Sequence, residues 1–307
     1  MLVNREIILA AIESAYKTDA EPAATDAILV EDLQWSLAGL RMNERPAIRG
    51  NIGKLQQIFG GHLVNVSFSA EIKGSGTAGT APEIGTLLRA CGMGETVVAT
   101  TSVAYSPVSE DHESISIYFY RDGKLFKIVG NRGNVSMALE AGATGKMQFS
   151  FTGHLLSETD AAMITPTYDS TVPVAVIGAG FSIGSYSAVI SALNSDLGNT
   201  LATPPDINAD NGYAEVRITS RDVICSFDPE ETLLAANDWL GDLQAGTTMA
   251  LDTGTIGSTA GNIYQVTKPA VYYRELAPGD RDGLRTLDVS CGCAESSGDD
   301  EMTITFT

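Results

Sequence analysis

Two stretches of this chain follow one plan: a strand, a short helix closed by glycine, further strands, a glycine turn and a last strand. In residues 64–73 (VNVSFSAEIK), Val64, Val66, Phe68, Ala70 and Ile72 alternate with Asn65, Ser67, Ser69, Glu71 and Lys73, the period of a strand with one buried face. Pro82–Cys91 predicts a helix, with Ile84, Leu87, Leu88 and Cys91 recurring at i, i+3, i+4 and i+7. In the second half Val223, Cys225 and Phe227 alternate. Asp228-Pro229-Glu230-Glu231 then supplies an N-cap, an N1 proline and an acidic first turn for a helix with the stripe Leu233, Ala236, Leu240, Leu243. Each half ends strand, turn, strand: 133–153 places Met147, Phe149 and Phe151 on one face, and 269–291 does the same with Leu287, Val289 and Cys291. Such duplication restricts the chain to a fold that accepts the same unit twice.

The elements predict a mainly β (α+β) architecture of two tandem domains, 1–160 and 161–307, each made of two packed antiparallel sheets and one flanking helix. At 307 residues the chain is long enough for two self-sufficient cores. Periodicity lapses at 155–173, where Ser, Thr, Asp and Pro gather, and the boundary is placed there. Residues 1–17 carry Glu6 and Glu13 inside a brief apolar run, which is no signal peptide; Asn4 can cap this segment as a helix. Thr171–Ser195 is uncharged but contains Pro173 and three glycines, and Asp169 and Asp196 flank it. It is read as buried strands rather than a membrane span. Thr18–Ala27 and Ala104–Glu113 show little helix or strand signal and are expected to be loops free to reach neighbours.

Nineteen basic residues against thirty-eight acidic ones give a net charge of −19, which argues against sequence-independent affinity for DNA. An acidic surface is common in soluble proteins; it is also what a wall needs if DNA is to slide past without sticking. Cys91, Cys225, Cys291 and Cys293 occupy apolar strand or helix positions, and free buried thiols are expected. Cys291-Gly-Cys293 lacks the histidines or second cysteine pair of a metal site, and Asp280-Arg281-Asp282-Gly283 lacks the remaining ligands of a calcium loop. His62, His112 and His154 are scattered. No metal, cofactor or catalytic residue is predicted. The rival enzymatic reading rests on VAVIGAGFSIG (174–184) and GSGTAG (74–79), which look like dinucleotide-binding turns with Gly178 and Gly180 at the centre of the first. That chemistry needs a buried parallel strand before the glycines and a helix opening on them. The strand before Gly74 alternates, and a proline-rich loop follows the second motif.

Sheets with one polar face and open edges pair readily with further copies. A closed ring of such copies satisfies every edge and turns the polar faces toward a shared channel. Three segments carry a resemblance at this point: ESAYKTDAEPAATDAILVEDLQWSL (13–37), SFSAEIKGSGTAGTAPEIGTLLRACGM (67–93) and GDRDGLRTLDVSCGCAESSGDDEMTITF (279–306). The chain resembles the major tail tube proteins of long, non-contractile-tailed bacteriophages, over most of its length and in order. The resemblance implies a structural virion protein whose rings stack into a hollow tube in the phage tail, assembled in the host cytoplasm. It implies a tape-measure protein and a tail terminator as partners, passage of DNA, and no membrane. Where related subunits carry two tube domains, three chains make a pseudo-sixfold ring, and the duplication implies that arrangement here. A terminator, or a tube subunit of a secretion system, is the nearest alternative. Strand alternation nominates Asn65, Ser67, Ser69, Glu71, Gln148, Ser150 and Thr152 as lumen-lining residues, with Ser226, Thr286, Asp288 and Ser290 from the second half. Stacking is assigned to the N-terminal arm and the 94–113 segment.

Overall fold

A computed structural model describes residue 2 and residues 5–307. The first half contains β1 (Glu6–Ile12), β2 (Ala27–Ile28), β3 (Glu31–Ala38), the short pair β4 (Met42–Asn43) and β5 (Ile58–Phe59), and β6 (Leu63–Glu71). Helix α1 (Gly85–Ala90), β7 (Met93–Val98), β8 (Ser102–Pro107), β9 (Ile115–Arg121), β10 (Lys124–Glu140) and β11 (Lys146–Asp160) complete it. The second half contains β12 (Ser182–Ile183), β13 (Ala192–Asp196), β14 (Asn199–Ala202), β15 (Arg217–Arg221) and β16 (Ile224–Phe227). After these come α2 (Trp239–Ala245), β17 (Met249–Asp252), β18 (Tyr264–Arg281), β19 (Leu284–Ala294) and β20 (Thr303–Phe306).

The protein is mainly β, and its pairings are antiparallel. Order within the sheet repeats: β3-β6-β11-β10 in the first half is matched by β13-β16-β19-β18 in the second, and pairing of β10 with β13 joins the two sets into one eight-stranded wall. The long strands β10 and β18 belong to two layers. Along one edge β10 pairs first with β9 and then, from Ser136 to Glu140, with β13. β18 pairs β17 over Thr267–Val271, while its other edge takes β20 and then β19. The halves also meet where β20 pairs β8.

The core lies between the wall and these outer strands. Val64, Val66, Phe68 and Ala70 from β6, Phe149 and Phe151 from β11, and Cys225, Phe227, Val289 and Cys291 from the second half are all buried. α1 plugs it: Ile84, Leu87, Leu88 and Cys91 are each 0% exposed. This helix is shorter than the predicted Pro82–Cys91 because the amide of Gly85 bonds the Pro82 carbonyl in a tight turn, and Gly92 at φ +77° ends it. The four cysteines are free and buried.

Several local expectations are corrected. The N-terminal segment forms strand β1, fully paired with β9, instead of a helix; Asn4 itself lies outside the described residues. The helix start expected at Asp228 is displaced to Asp238, whose carboxylate accepts the Gly241 amide at 2.8 Å. Asp228 stays in the sheet, accepting the Ser191 and Ala192 amides at 2.8 and 2.9 Å. Leu233 and Leu240 are consequently exposed, at 83% and 57%. Thr171–Ser195 is mostly irregular, with β12 and the start of β13 as its strands, and Val172, Ile177 and Val189 reach solvent. The 104–113 segment is not free: β8 is held between β7 and β20, and Ser109 bonds Asp299. Residues 18–27 are anchored by the Tyr118 hydroxyl on Asp19 and by Ser116 Oγ, which accepts the Ala20 amide. Lys73, expected on the polar face, is buried at 2% and paired with Glu83 at 3.1 Å. Among the described residues no helix is long and apolar enough to cross a membrane.

Candidate functional site: a polar wall with two open edges

Register decides which side chains share a face. Ser69 lies opposite Gln148, Ser67 opposite Ser150, Asn65 opposite Thr152, and Glu71 opposite Lys146. From Gln148 and Ser150 the face continues to Ser136 and Asn134 on β10, then to Asp196 on β13. Asn194 lies opposite Ser226, and Ser226 opposite Ser290. Successive side chains alternate between faces, so ten of the eleven nominated residues fall on one continuous polar surface spanning both halves. Local bonds organise it: Thr152 Oγ1 donates to Asn65 Oδ1 at 2.9 Å, Asn134 Nδ2 to Asp196 Oδ1 at 2.7 Å, and Lys146 Nζ to Glu31 at 2.6 Å. A shallow trough of about 530 Å³ follows the junction between halves, with Ser136, Asn194 and Ser226 in its lining.

Thr286 is the exception. It has the right parity, yet only 3% of its surface is exposed. Arg281, on the same face of β18, reaches across β19 to Asp228 at 2.9 Å and Glu230 at 3.0 Å, and Thr286 lies beneath that bridge. Burial pushes the Asp228 carboxyl up, but bonds from Ser191 and Ala192 and the Arg281 charge outweigh it and hold the group below its ordinary value. Residues missed in the sequence are Gln34 and Ser36 on β3, Asn134 and Ser136 on β10, and Asn194 and Asp196 on β13. The alternation of Asn134 and Ser136 with Val135 and Met137 was the available signal.

The wall ends in two unpaired edges. Among the described residues β3 pairs only β6, and beyond Val271 the β17-side edge of β18 carries no strand, leaving Tyr272–Arg281 open. In the strand order β3 corresponds to β13, and β18 to β10. The pairing of β10 with β13 inside the chain is therefore the same join that an open β18 could make with the β3 of another copy.

Neither glycine motif has dinucleotide geometry. Residues after Gly178 and Gly180 enter the two-residue strand β12, with no helix N-terminus behind them. In the other motif the glycines permit close backbone crossing: a Cβ on Gly74 would stand 2.0 Å from the Gly261 carbonyl oxygen, and one on Gly261 would stand 2.3 Å from the Thr77 amide. A polar cleft of about 580 Å³ contains Glu13, His112, Arg132 and Glu215, and these groups already serve the fold. Glu13 accepts from Ser114, Ser116 and the Gly130 amide, while Arg132 donates to Glu215 and to the Val216 carbonyl.

The phage tail tube protein family model matches residues 4–306. The chain belongs to the phage tail tube protein family. Membership makes it a structural protein of the bacteriophage virion, located in the tail, whose function is self-assembly into a tube. No curated protein matches the chain. The wall and its edges are thus features of a tube protein.

Proposed function

We propose that this tube protein closes into rings by pairing the Tyr272–Arg281 edge of β18 with β3 of the next copy, and that the polar wall then lines a channel for DNA ejection. The observation that supports this reading is the β10–β13 join, where two sets of four strands in matching order already pair through strands equivalent to β18 and β3. On this reading residues 1–160 and 161–307 are two tube domains, and three chains, each lending eight strands, complete a pseudo-sixfold ring. A barrel of that strand number, with strands about 4.8 Å apart and tilted by about 40°, has a backbone diameter of roughly 50 Å, wider than a nucleic-acid duplex.

Such a lumen is hydrated and anionic. Glu31, Glu71, Asp196 and Asp288 face it, against Lys146 and Arg281, so passing phosphates find few cations to hold them. A tape-measure protein fits this bore during assembly and a terminator caps the last ring, with assembly in the host cytoplasm. The protein has a structural role and no enzymatic one.

Native mass spectrometry and negative-stain microscopy test ring closure. Ser36→Pro and Leu37→Pro should be compared, because neighbouring amides in a strand point to opposite sides. The variant that loses the outward amide should keep the monomer's circular dichroism and form no rings; rings from both variants would overturn the proposed edge. Lysine at Ser67 and Ser150 should slow DNA release from assembled particles, and release at the wild-type rate would count against the lumen assignment.

A further inference from the structure

The core of the second half holds a side-chain cluster that the polar wall does not use. Cys225 on β16 stands opposite Cys291 on β19, and Cys293, two residues further along β19, lies on the same face. The Cys225 and Cys293 sulfurs are 3.9 Å apart, although the residues are 68 positions apart in the chain. Lys268 from β18 reaches into this cluster. It is fully buried, and its Nζ donates to Ser195 Oγ at 2.7 Å, which in turn lies 3.5 Å from the Met302 sulfur. The fourth cysteine, Cys91, ends α1 in the first half.

The thiols are quiet but not sealed off. Hydrogen bonding to Cys291, together with burial, pushes the Cys225 thiol up to about 12, against the pull of Cys293 and of the Lys268 charge. Cys293 is raised as well, by its contact with Cys225 and by burial. Little thiolate is therefore present at neutral pH, and attack on an oxidant is slow rather than barred. Cys225 and Ser195 line the trough of about 530 Å³ at the junction between the halves, which gives a small molecule room to approach. Cys293 keeps 8% of its surface exposed.

We propose that Cys225 and Cys293 form a covalent cross-linking site, closed by exchange with a small-molecule disulfide once the virion has left the reducing interior of the cell. The Cys225 thiolate attacks one sulfur of the small disulfide, forming a mixed disulfide and releasing one small thiol. Cys293 then gives up its proton and attacks the Cys225 sulfur, releasing the second. Two protein thiols are oxidised and one small disulfide is reduced to two thiols, so atoms and electrons balance. The sulfurs need only close from 3.9 Å to about 2 Å. The loop so closed contains α2, β17 and most of β18, and tying its ends restricts the unfolded chain. Thiols that stay reduced while the protein folds and a bridge that forms after release suit a particle that passes between the two compartments. The site depends on no particular ring geometry.

The test uses the full chain, purified under reductant and incubated with 2-hydroxyethyl disulfide, then alkylated in denaturant and weighed by mass spectrometry. Alkylation should fall from all four cysteines to Cys91 and Cys291, and peptide fragmentation should place the bridge between Cys225 and Cys293. The thermal midpoint should rise by about 5 °C or more and fall back on reduction. Cys291→Ser should keep both effects, and Cys293→Ser should lose both. Four persisting thiols, a bridge between other cysteines, or a bridged protein with an unaltered midpoint would overturn the proposal. Peptide mapping of the wild-type chain decides the matter even where a variant fails to fold. Rings that do not form would sink the reading of ring closure and leave this bridge standing.

Discussion

At the scale of single residues, His154 joins parts of the chain far apart in sequence. Its Nε2 lies 3.1 Å from the Tyr16 hydroxyl and its Nδ1 2.6 Å from the Asn211 amide nitrogen, and the ring is 1% exposed. Burial, with a smaller contribution from Lys17, pushes the imidazole down to about 4. The unfolded chain binds this proton near the ordinary value of about 6.5. Stability from the neutral ring is therefore complete above that value and is lost as pH falls from there through about 4. Urea denaturation should show a loss of about 2 kcal/mol between about pH 7 and pH 5. His154→Leu should be less stable at neutral pH but lack this slope; an unchanged slope would place the titration elsewhere. Nothing in the sequence marked His154, because its partners come from residues 16 and 211.

At the scale of elements, two helices with similar patterns meet different fates. Both stripes follow helical spacing, yet Leu88 in α1 is fully buried and Leu240 in α2 is more than half exposed. Leu88→Ala should cost about 2–5 kcal/mol. Leu240→Ala should change stability by about 0.5 kcal/mol or less. Equal losses in chemical denaturation would contradict the packing described for α1. The strands were legible where polar and apolar residues alternate without interruption, as in β6, β11 and β19. Asp228 shows where local pattern fails: its capping signal is genuine chemistry, but the Ser191 and Ala192 amides and Arg281 take the carboxylate into the sheet. β8 was hidden for a related reason, since one of the two strands that flank it lies near residue 304 and no local signal announces a partner so distant.

At the scale of the whole molecule, a recurring order of strand, helix and turn could be read from the sequence, whereas the β10–β13 pairing that joins the two sets of wall strands could not. The residues that make the join, Ser136–Glu140 and Ala192–Asp196, carry ordinary strand composition. The eleven residues nominated for the lumen share one face because alternation survives any choice of partner strand, but Thr286 is buried on that face, which parity does not reveal. Removing residues 302–307 should uncover Tyr105, Tyr264 and the β8 edge, and so lower the thermal midpoint and increase aggregation in light-scattering melts; an unaltered melt would mean that β20 adds nothing to the fold. Tyr105 and Ile304, paired across this seam, are separated by about 200 residues, a long-range contact of the kind that slows folding. During translation, then, β8 emerges long before its partner strand. A ribosome-bound fragment that stops short of residue 303 keeps one border of its outer layer raw until β20 arrives to cover it.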